Sequence, residues 1–465
     1  MSASPQPGAL QRLALALYGL LMWLLQPLMA RKLRRRGASE PGYLQHTGER
    51  FGRYVGAAPA PGSIWVHAVS LGETRAAAVL IAALRETRPG CRILLTHGTA
   101  TGRAEGVALL REGDAQAWLP WDMPQAVEAF LQHFRPALGV LMETEVWPVL
   151  VAACRAHGVP LVLANARLSA KSLGEAQRLG LLARPAFAGL SAVLAQTEAD
   201  AQRLRRLGAP VQAVLGNLKF DATPDAALLA RGRAWRAAAG RPVVMLASSR
   251  EGEEAALLVA LGDFYKQNRP PAPASIGSSA TNLIANDVQW MIVPRHPQRF
   301  AEVAALVAQA GFSVSVRSQW AEVPAAADVW VGDSLGEMAL YYGLADAALL
   351  GGSFEPLGGQ NLIEAAACGC PVVMGPHTFN FSEAAELALD GGAAMRVQGL
   401  DAGVEAAVSL VQDEAALQAM RARALDFSHA HRGAALRTAQ ALATHLANGA
   451  ANSVDAGSTV SPAGR

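Results

Sequence analysis

Glu73 follows Ser70-Leu-Gly72 at the point where a short apolar run closes and a helical pattern opens. Such a turn directs backbone N–H groups and the positive end of the helix dipole at whatever lies beyond the strand. Gly72 lets a ligand approach the backbone. A single carboxylate there suffices for an inverting sugar transfer: it needs only to take the acceptor's hydroxyl proton while an activated donor leaves unaided. A glutamate that only steadies the dipole sits in the same place. The dipole also lowers a carboxylate's pKa, whereas a base works better with a raised one, so burial would have to offset it.

Far along the chain, Gly351-Gly352-Ser353-Phe354 and Gly358-Gly359-Gln360-Asn361-Leu362-Ile363-Glu364 form a second turn of this kind. Its glycines suit a phosphate or nucleotide. Asn361 and Glu364 are three apart and share a helix face, with Glu364 suited to ribose hydroxyls. Pro294-Arg295-His296-Pro297 fixes an Arg-His pair between two prolines, and an arginine fork suits phosphate or carboxylate. Ser248-Ser249-Arg250 and Asp333-Ser-Leu335-Gly336-Glu337 are further strand-to-helix turns. In the first half, Met142-Glu143-Thr-Glu145-Val-Trp147-Pro148 puts two carboxylates after an apolar run. Asn165, Arg167 and Lys219 supply amide and positive groups for an anionic acceptor. There is no Asp-x-Asp, no His-Glu-x-x-His and no Gly-x-x-x-x-Gly-Lys-Ser/Thr. That argues against a metal-bridged diphosphate donor and against an ATPase.

The elements that must position these residues read as two βα arrays. Apolar runs at 64–68, 93–96, 137–142, 161–164, 192–195 and 211–215 alternate with Ala-, Leu- and Arg-rich helical stretches. A second series lies at 243–247, 288–293, 313–316, 329–332, 347–350 and 372–374. Runs that are apolar throughout, not alternating, imply parallel strands covered on both faces. The expected architecture is α/β, with two doubly wound Rossmann-like domains facing across a cleft. The motifs fall at the carboxyl ends of the strands, where ligands bind in such sheets. Residues 1–36 form an anchor with a basic flank, 37–220 the first domain, 221–447 the second, and 448–465 a disordered tail. The Pro- and Ser-rich segment 267–287 reads as an inserted surface loop.

Residues 13–30 are apolar but for Gln26 and Pro27, and Arg31-Lys-Leu-Arg-Arg-Arg36 comes immediately after. The run is at the lower limit for crossing a bilayer. The basic block would hold the rest of the chain on the cytoplasmic side of the plasma (inner) membrane, or would bind anionic lipid beside a helix lying in the interface. A net charge of +2 gives no general case for nucleic acid. The scattered cysteines, Cys91, Cys154, Cys368 and Cys370, lack the spacing of a zinc or redox site and read as free thiols.

Taken in order, Glu49-Arg50-Phe-Gly52, Ser70-Leu-Gly-Glu73, Met142 to Pro148, Asn165 to Ser169, Gly216-Asn-Leu-Lys-Phe-Asp221, Pro294 to Pro297, Asp333 to Glu337, Gly351 to Phe354 and Gly358 to Asn361 resemble the 3-deoxy-D-manno-octulosonic acid (Kdo) transferases. The resemblance spans about residues 10–430. It implies a GT-B fold, a CMP-Kdo donor, and inverting transfer to lipid IVA, the lipid A precursor of lipopolysaccharide, without cofactor or metal. It implies that Glu73 is the general base and that Glu143 and Lys219 stabilise the transition state. CMP would lie on Pro294 and Arg295, on Leu335, Gly336 and Glu337, and on Asn361, Leu362, Ile363 and Glu364. Ser70, Gly72, Ser248, Ser249, His296, Gly352 and Gly359 would line the rest. Gln360 stands where the family usually has His, and Ala365 where Pro is usual. The competing readings are a UDP-sugar transferase of cell-wall synthesis and a nucleotide-sugar epimerase on the same fold. The apolar N-terminus argues against the epimerase, and the Pro294–Pro297 and Asp333–Met338 motifs argue against both.

Overall fold

The computed structural model describes residues 8–267 and 288–455. Of the expected inserted loop 267–287 only Gln267 is described, as the end of a helix; residues 268–287 and the last ten residues of the expected tail lie outside the described residues. The chain divides into two compact units. Unit 1 takes the chain up to Ala222 and again from Arg432, and unit 2 is Thr223–His431.

Unit 1 is built on a seven-stranded parallel sheet in the order β3-β2-β1-β4-β5-β6-β7. The strands are β1 (Ile64–His67), β2 (Ile93–His97), β3 (Ala115–Trp118), β4 (Leu138–Met142), β5 (Leu161–Ala166), β6 (Ala192–Ala195) and β7 (Val211–Val214). Unit 2 carries a second parallel sheet, β10-β11-β9-β8-β12-β13-β14. Its strands are β8 (Val243–Ser249), β9 (Gln289–Pro294), β10 (Val314–Val316), β11 (Val329–Val331), β12 (Ala347–Leu350), β13 (Val372–Met374) and β14 (Ala394–Arg396). Fully buried central strands explain the continuous apolar runs, since both faces of each sheet are covered.

The strand order reverses beside β1 in unit 1 and beside β8 in unit 2, where the neighbours are β2 and β4, and β9 and β12. A doubly wound sheet leaves a crevice for ligands at that reversal. The helix that follows β1 carries Glu73 in its first turn and the turn after β4 carries Glu143; Ser249 ends β8 with Arg250 directly after it, and the turn after β12 carries Gly351-Gly352.

The C-terminal helix (Ala434–Asp455) corrects the expected domain boundary at 447, because the chain returns to unit 1 at Arg432. Ala434, Ala435, Ala439, Leu442 and Leu446 bury against the same cluster as Ile64, Val140 and Leu194. The two leucines alone contribute roughly 1.5–3 kcal/mol each. Asp221 accepts the amides of Gly433 and Ala435, and Arg437 donates to the Leu215 carbonyl at 2.9 Å. Residues 448–455 continue the helix where the sequence suggested that a disordered tail begins.

At the other terminus, α1 (Ala9–Leu24) and α2 (Gln26–Ser39) meet at a bend of 51°. No single described helix is long and apolar enough to cross a membrane; the bent pair passes that test together, by length and composition only. Leu15 and Tyr18 on α1 pack against the core of unit 1. Leu10, Leu13, Leu17, Leu20, Leu21, Trp23 and Leu24 are exposed.

Candidate active site

Ser70 is the N-cap of α3 (Leu71–Thr87). Its Oγ accepts the Glu73 amide at 3.3 Å and donates to Glu73 Oε1 at 2.9 Å. Ser70 is thus a side-chain N-cap, and its two bonds to Glu73 close the first helical turn. Glu73 Oε2 accepts the Val69 amide at 2.9 Å. The bland reading of Glu73 as a helix-start carboxylate is therefore correct as geometry, but it is incomplete as chemistry. Burial pushes the Glu73 carboxyl up to about 7, against the pull of the Val69 amide, and the nearby charges of Glu143 and Glu145 add to the rise. Burial by the protein itself thus overcomes the dipole, before any substrate is present. A pKa near neutrality is what a general base requires, and each oxygen retains a lone pair.

The platform beneath this turn comes from residues distant in sequence. Thr99 donates to the Val69 carbonyl at 2.8 Å through its hydroxyl and at 2.9 Å through its amide. Arg50 donates to the Gly98 carbonyl at 2.8 Å, and Glu49 accepts the Trp118 amide at 2.8 Å. The Glu49-Arg50 motif is thereby a support for the loop beside Glu73. His67 does not join the site: it is wholly buried, bonds Thr96, and burial drives its pKa down to about 3.

Glu143 follows β4 in the left-handed region, φ 58°, a strained conformation for a non-glycine residue. It is 4% exposed and is gripped by Lys219 at 2.9 Å on one oxygen and by Arg167 at 2.9 Å on the other. Burial opposes its ionisation, yet the two cations outweigh burial and hold its pKa below the usual value. Asn217 caps the short helix that carries Lys219, and Asn165 Oδ1 accepts the Leu218 amide at 3.0 Å. Glu145 is half-buried, accepts from the Trp147 indole at 3.0 Å, and is raised in pKa by burial. Glu73, Glu143 and Lys219, proposed from sequence, thus belong to one unit and one sheet reversal.

In unit 2 the glycine cradle is organised differently from the expectation. Glu253 opens the helix Glu253–Gln267, and its carboxylate accepts the amides of Gly352 at 2.7 Å, Arg250 at 2.9 Å and Phe354 at 3.3 Å. The Gly352 amide, which the sequence offered to a phosphate, is held by the protein's own carboxylate. Gly352 has φ 70°, and the Gly359 amide closes on its carbonyl at 2.7 Å. Glu254, fully buried, accepts from Ser249 at 2.8 Å and from Arg299 at 2.7 Å. Ser248 adopts φ 55° at a register shift in β8, much as Asn165 does with φ 52° in β5. Both glutamates lie in the first turn of their helix, and nothing local in the sequence discloses the loops they hold.

Pro294 ends β9, and the Arg295 amide donates to the Ser249 carbonyl at 3.0 Å. Arg295 Nε donates to Gln360 Oε1 at 3.2 Å, so Gln360 keeps a hydrogen bond at a position where the resembled family usually has His. His296 is exposed and its pKa is lowered, first by desolvation and then by Arg295, Arg250 and Arg299. Leu335 and Gly336 are exposed, whereas the Glu337 carboxylate is engaged by Arg317 at 2.9 Å and by Ser334. Asn361 caps the helix Leu362–Ala367 through the Ile363 amide. Leu362 and Ile363 are each 1% exposed, so their side chains belong to the core and only main-chain atoms are left for a ligand.

Residues 45–222 match the family model described as 3-deoxy-D-manno-octulosonic-acid transferase (kdotransferase). The 3-deoxy-D-manno-octulosonic acid transferase of Bordetella pertussis is 47% identical over 92% of this chain and 97% of its own length. That of Haemophilus influenzae is 32% identical over 84% of this chain and 89% of its own length. Among solved structures, a glycosyltransferase from Rickettsia africae aligns with a TM-score of 0.53 at 12% identity, covering 83% of this chain and 99% of that one. A UDP-GlcNAc 2-epimerase from Neisseria meningitidis aligns equally well, with a TM-score of 0.53, 12% identity and coverage of 83% and 100%. The fold alone therefore does not separate transferase from epimerase. The full-length sequence identities do.

Proposed function

The chain belongs to the Kdo transferase family and is a glycosyltransferase, and on that premise we propose that it transfers Kdo from CMP-Kdo to lipid IVA, with inversion and without a metal. Glu73 takes the proton of the acceptor hydroxyl as its oxygen attacks the anomeric carbon, and CMP departs with the bonding electrons. Lys219 and Glu143, held as a pair, stabilise the charge that develops at the reacting sugar. Arg295 and main-chain amides near Asn361 receive the CMP phosphate. The observation that carries this reading is the Glu73 carboxyl, lifted to about 7 at the sheet reversal and flanked by the Glu143–Lys219 pair.

The acceptor is a lipid, and the exposed row Leu13, Leu17, Leu20 and Leu24, followed by the Arg31–Arg36 block, fits attachment to the inner membrane with the catalytic units on the cytoplasmic side. The test is a mass-spectrometric assay with tetraacylated lipid A precursor and CMP-Kdo generated in situ. Product heavier by one or more Kdo units, absent with Glu73→Ala, is the expected result. Activity should persist in EDTA. No product from a folded, CMP-binding protein would redirect the search to another acceptor, and failure to bind CMP would overturn the reading.

A further inference from the structure

Two adjacent glutamates open the helix Glu253–Gln267, and they serve opposite neighbours of β8 in the sheet. Glu253 takes the loop after β12, through the Gly352 and Phe354 amides. Glu254 takes the turn after β9. Its Oε1 accepts the Ser249 hydroxyl at 2.8 Å and Arg299 Nη1 at 2.7 Å. Arg299 ends the short turn Pro297–Arg299, and its amide donates to the His296 carbonyl at 3.0 Å. The Arg295 amide donates to the Ser249 carbonyl at 3.0 Å, so the Arg295–His296 step is tied down on both sides.

These links close into a ring. Arg295 Nε bonds Gln360 at 3.2 Å, and the adjoining Gly359 donates its amide to the Gly352 carbonyl at 2.7 Å. The Gly352 amide then returns to Glu253 at 2.7 Å. Arg295 is the member of this ring that the proposed function gives to the CMP phosphate. Arg299 is a poor candidate for that contact, because its guanidinium is divided between Glu254 at 2.7 Å and Glu302 at 2.9 Å. Glu254 is fully buried, and its Oε2 has no hydrogen-bond partner among the described residues. A buried ion pair with an unsatisfied oxygen gains little stability over an apolar filling of the same space. What the pair supplies is direction: a planar, forked cation on a fixed carboxylate holds the backbone of residues 295–299 in one place.

We propose that Arg299 and Glu254 are positioning residues for the donor site: the pair fixes the turn after β9 so that Arg295 meets the donor phosphate, while Arg299 itself does not touch it. This rests on the reading of Arg295 as a CMP ligand.

The test compares CMP with cytidine, which differ by the phosphate, in calorimetric titrations of the full chain. Arg299→Met should weaken CMP binding by about tenfold, the weight of one charge-assisted hydrogen bond, and leave cytidine binding unchanged. General damage to the fold would weaken both ligands alike. KM for CMP-Kdo should rise in step while KM for the acceptor stays parental. Arg299→Lys keeps the charge and should recover part of the loss. Glu254→Gln keeps an accepting oxygen for Ser249, should move CMP in the same direction, and serves if Arg299→Met does not fold. In an Arg295→Met background the Arg299→Met loss should vanish, because it acts through Arg295. Parental CMP affinity in Arg299→Met and Glu254→Gln would overturn the proposal. So would a loss that persists in the Arg295→Met background, which would put Arg299 on the phosphate itself. A parent chain that binds no CMP would instead fail the donor reading, and hydrogen exchange of the Arg295 and Arg299 amides, faster in Arg299→Met, would still decide whether the pair holds the turn.

Discussion

Glu73 and Glu253 occupy corresponding stations in the two units. Each follows the strand at its sheet's reversal, each lies in the first turn of the next helix, and burial raises the pKa of each. Their oxygens are used differently. Glu253 accepts three amides drawn from two loops, those of Arg250, Gly352 and Phe354. Glu73 accepts one amide and one hydroxyl, both from its own turn. The same residue type at the same place is a staple when it is saturated by distant backbone. It is a candidate base when it is only locally held and stands beside other carboxylates.

The largest expected effect tests this contrast directly. Glu73→Gln should lower kcat by roughly 10²–10⁴, the usual contribution of a general base, with CMP binding intact. The parent's rate should rise with pH through about 7, since the base must be deprotonated. The sign for stability is opposite. A carboxyl whose folded pKa is raised favours the folded state while protonated, and that stability is lost as pH rises from about 4.5 toward 7. The loss is on the order of 3 kcal/mol. Glu73→Gln should therefore melt higher than the parent at pH 8 although it is inactive. Equal loss of kcat in Glu253→Gln, with no change in stability or donor KM, would break the comparison.

Next in size is Glu253→Ala, which leaves three amides without their acceptor. An unsatisfied buried donor costs about 1–3 kcal/mol, and with partial relief by water the total should be about 2–4 kcal/mol. The expected signature is a lower thermal midpoint together with weaker CMP binding in calorimetry, because the Gly351–Phe354 and Ser249–Arg250 loops loosen together. A stable variant with parental CMP affinity would show that the staple is dispensable.

How much was legible in the sequence depends on the range of the interactions. The placing of Glu73 at a helix start is local, and Ser70-Leu-Gly-Glu73 announces it. Ten strands were readable because burial on both faces makes them apolar throughout, and the edge strands β7 and β10 were readable from their valines. β3 and β14, the other two edge strands, escaped because they lack even that valine signal: Ala115–Trp118 has two half-buried residues and a glutamine, and Ala394–Arg396 is short and includes an arginine. The return of the C-terminal helix to unit 1 was invisible for another reason. Its apolar spacing shows that it buries a face, but the partner that fixes it, Asp221, is 212 residues from Gly433. The same holds for Glu253, whose acceptor role depends on amides 99 and 101 residues away. The raised Glu73 pKa also had to await the structure, since burial, its dominant cause, is a property of the packed unit.

Lys219→Met sharpens the contrast within unit 1. Glu143 would keep Arg167 but lose the more buried of its two cations. Breaking a buried pair costs about 3–5 kcal/mol, and the half-exposed Arg167 should reduce that to about 2 kcal/mol. In the parent, Glu143's lowered pKa contributes stability at neutral pH that is lost as pH falls through that pKa. In the variant, burial dominates and the sign reverses, so the deficit against the parent should narrow on acidification. Thermal midpoints measured from pH 8 to pH 5 check this. A deficit that is constant across the range would mean that Lys219 acts through packing and not through Glu143.

The smallest effect concerns Gln360. Its Oε1 accepts from Arg295 Nε at 3.2 Å, a long bond between half-exposed groups, so it orients the guanidinium and does not set its charge. Gln360→Leu should weaken CMP binding by about 1 kcal/mol, roughly fivefold, with kcat nearly unchanged, as expected for one modest hydrogen bond. Gln360→His restores a ring nitrogen within reach and should recover most of the affinity. It should also introduce a pH dependence near the histidine range that the parent lacks, because only the neutral ring can accept from Arg295. Loss of kcat in Gln360→Leu with affinity retained would place this side chain at the reacting sugar and not at the phosphate.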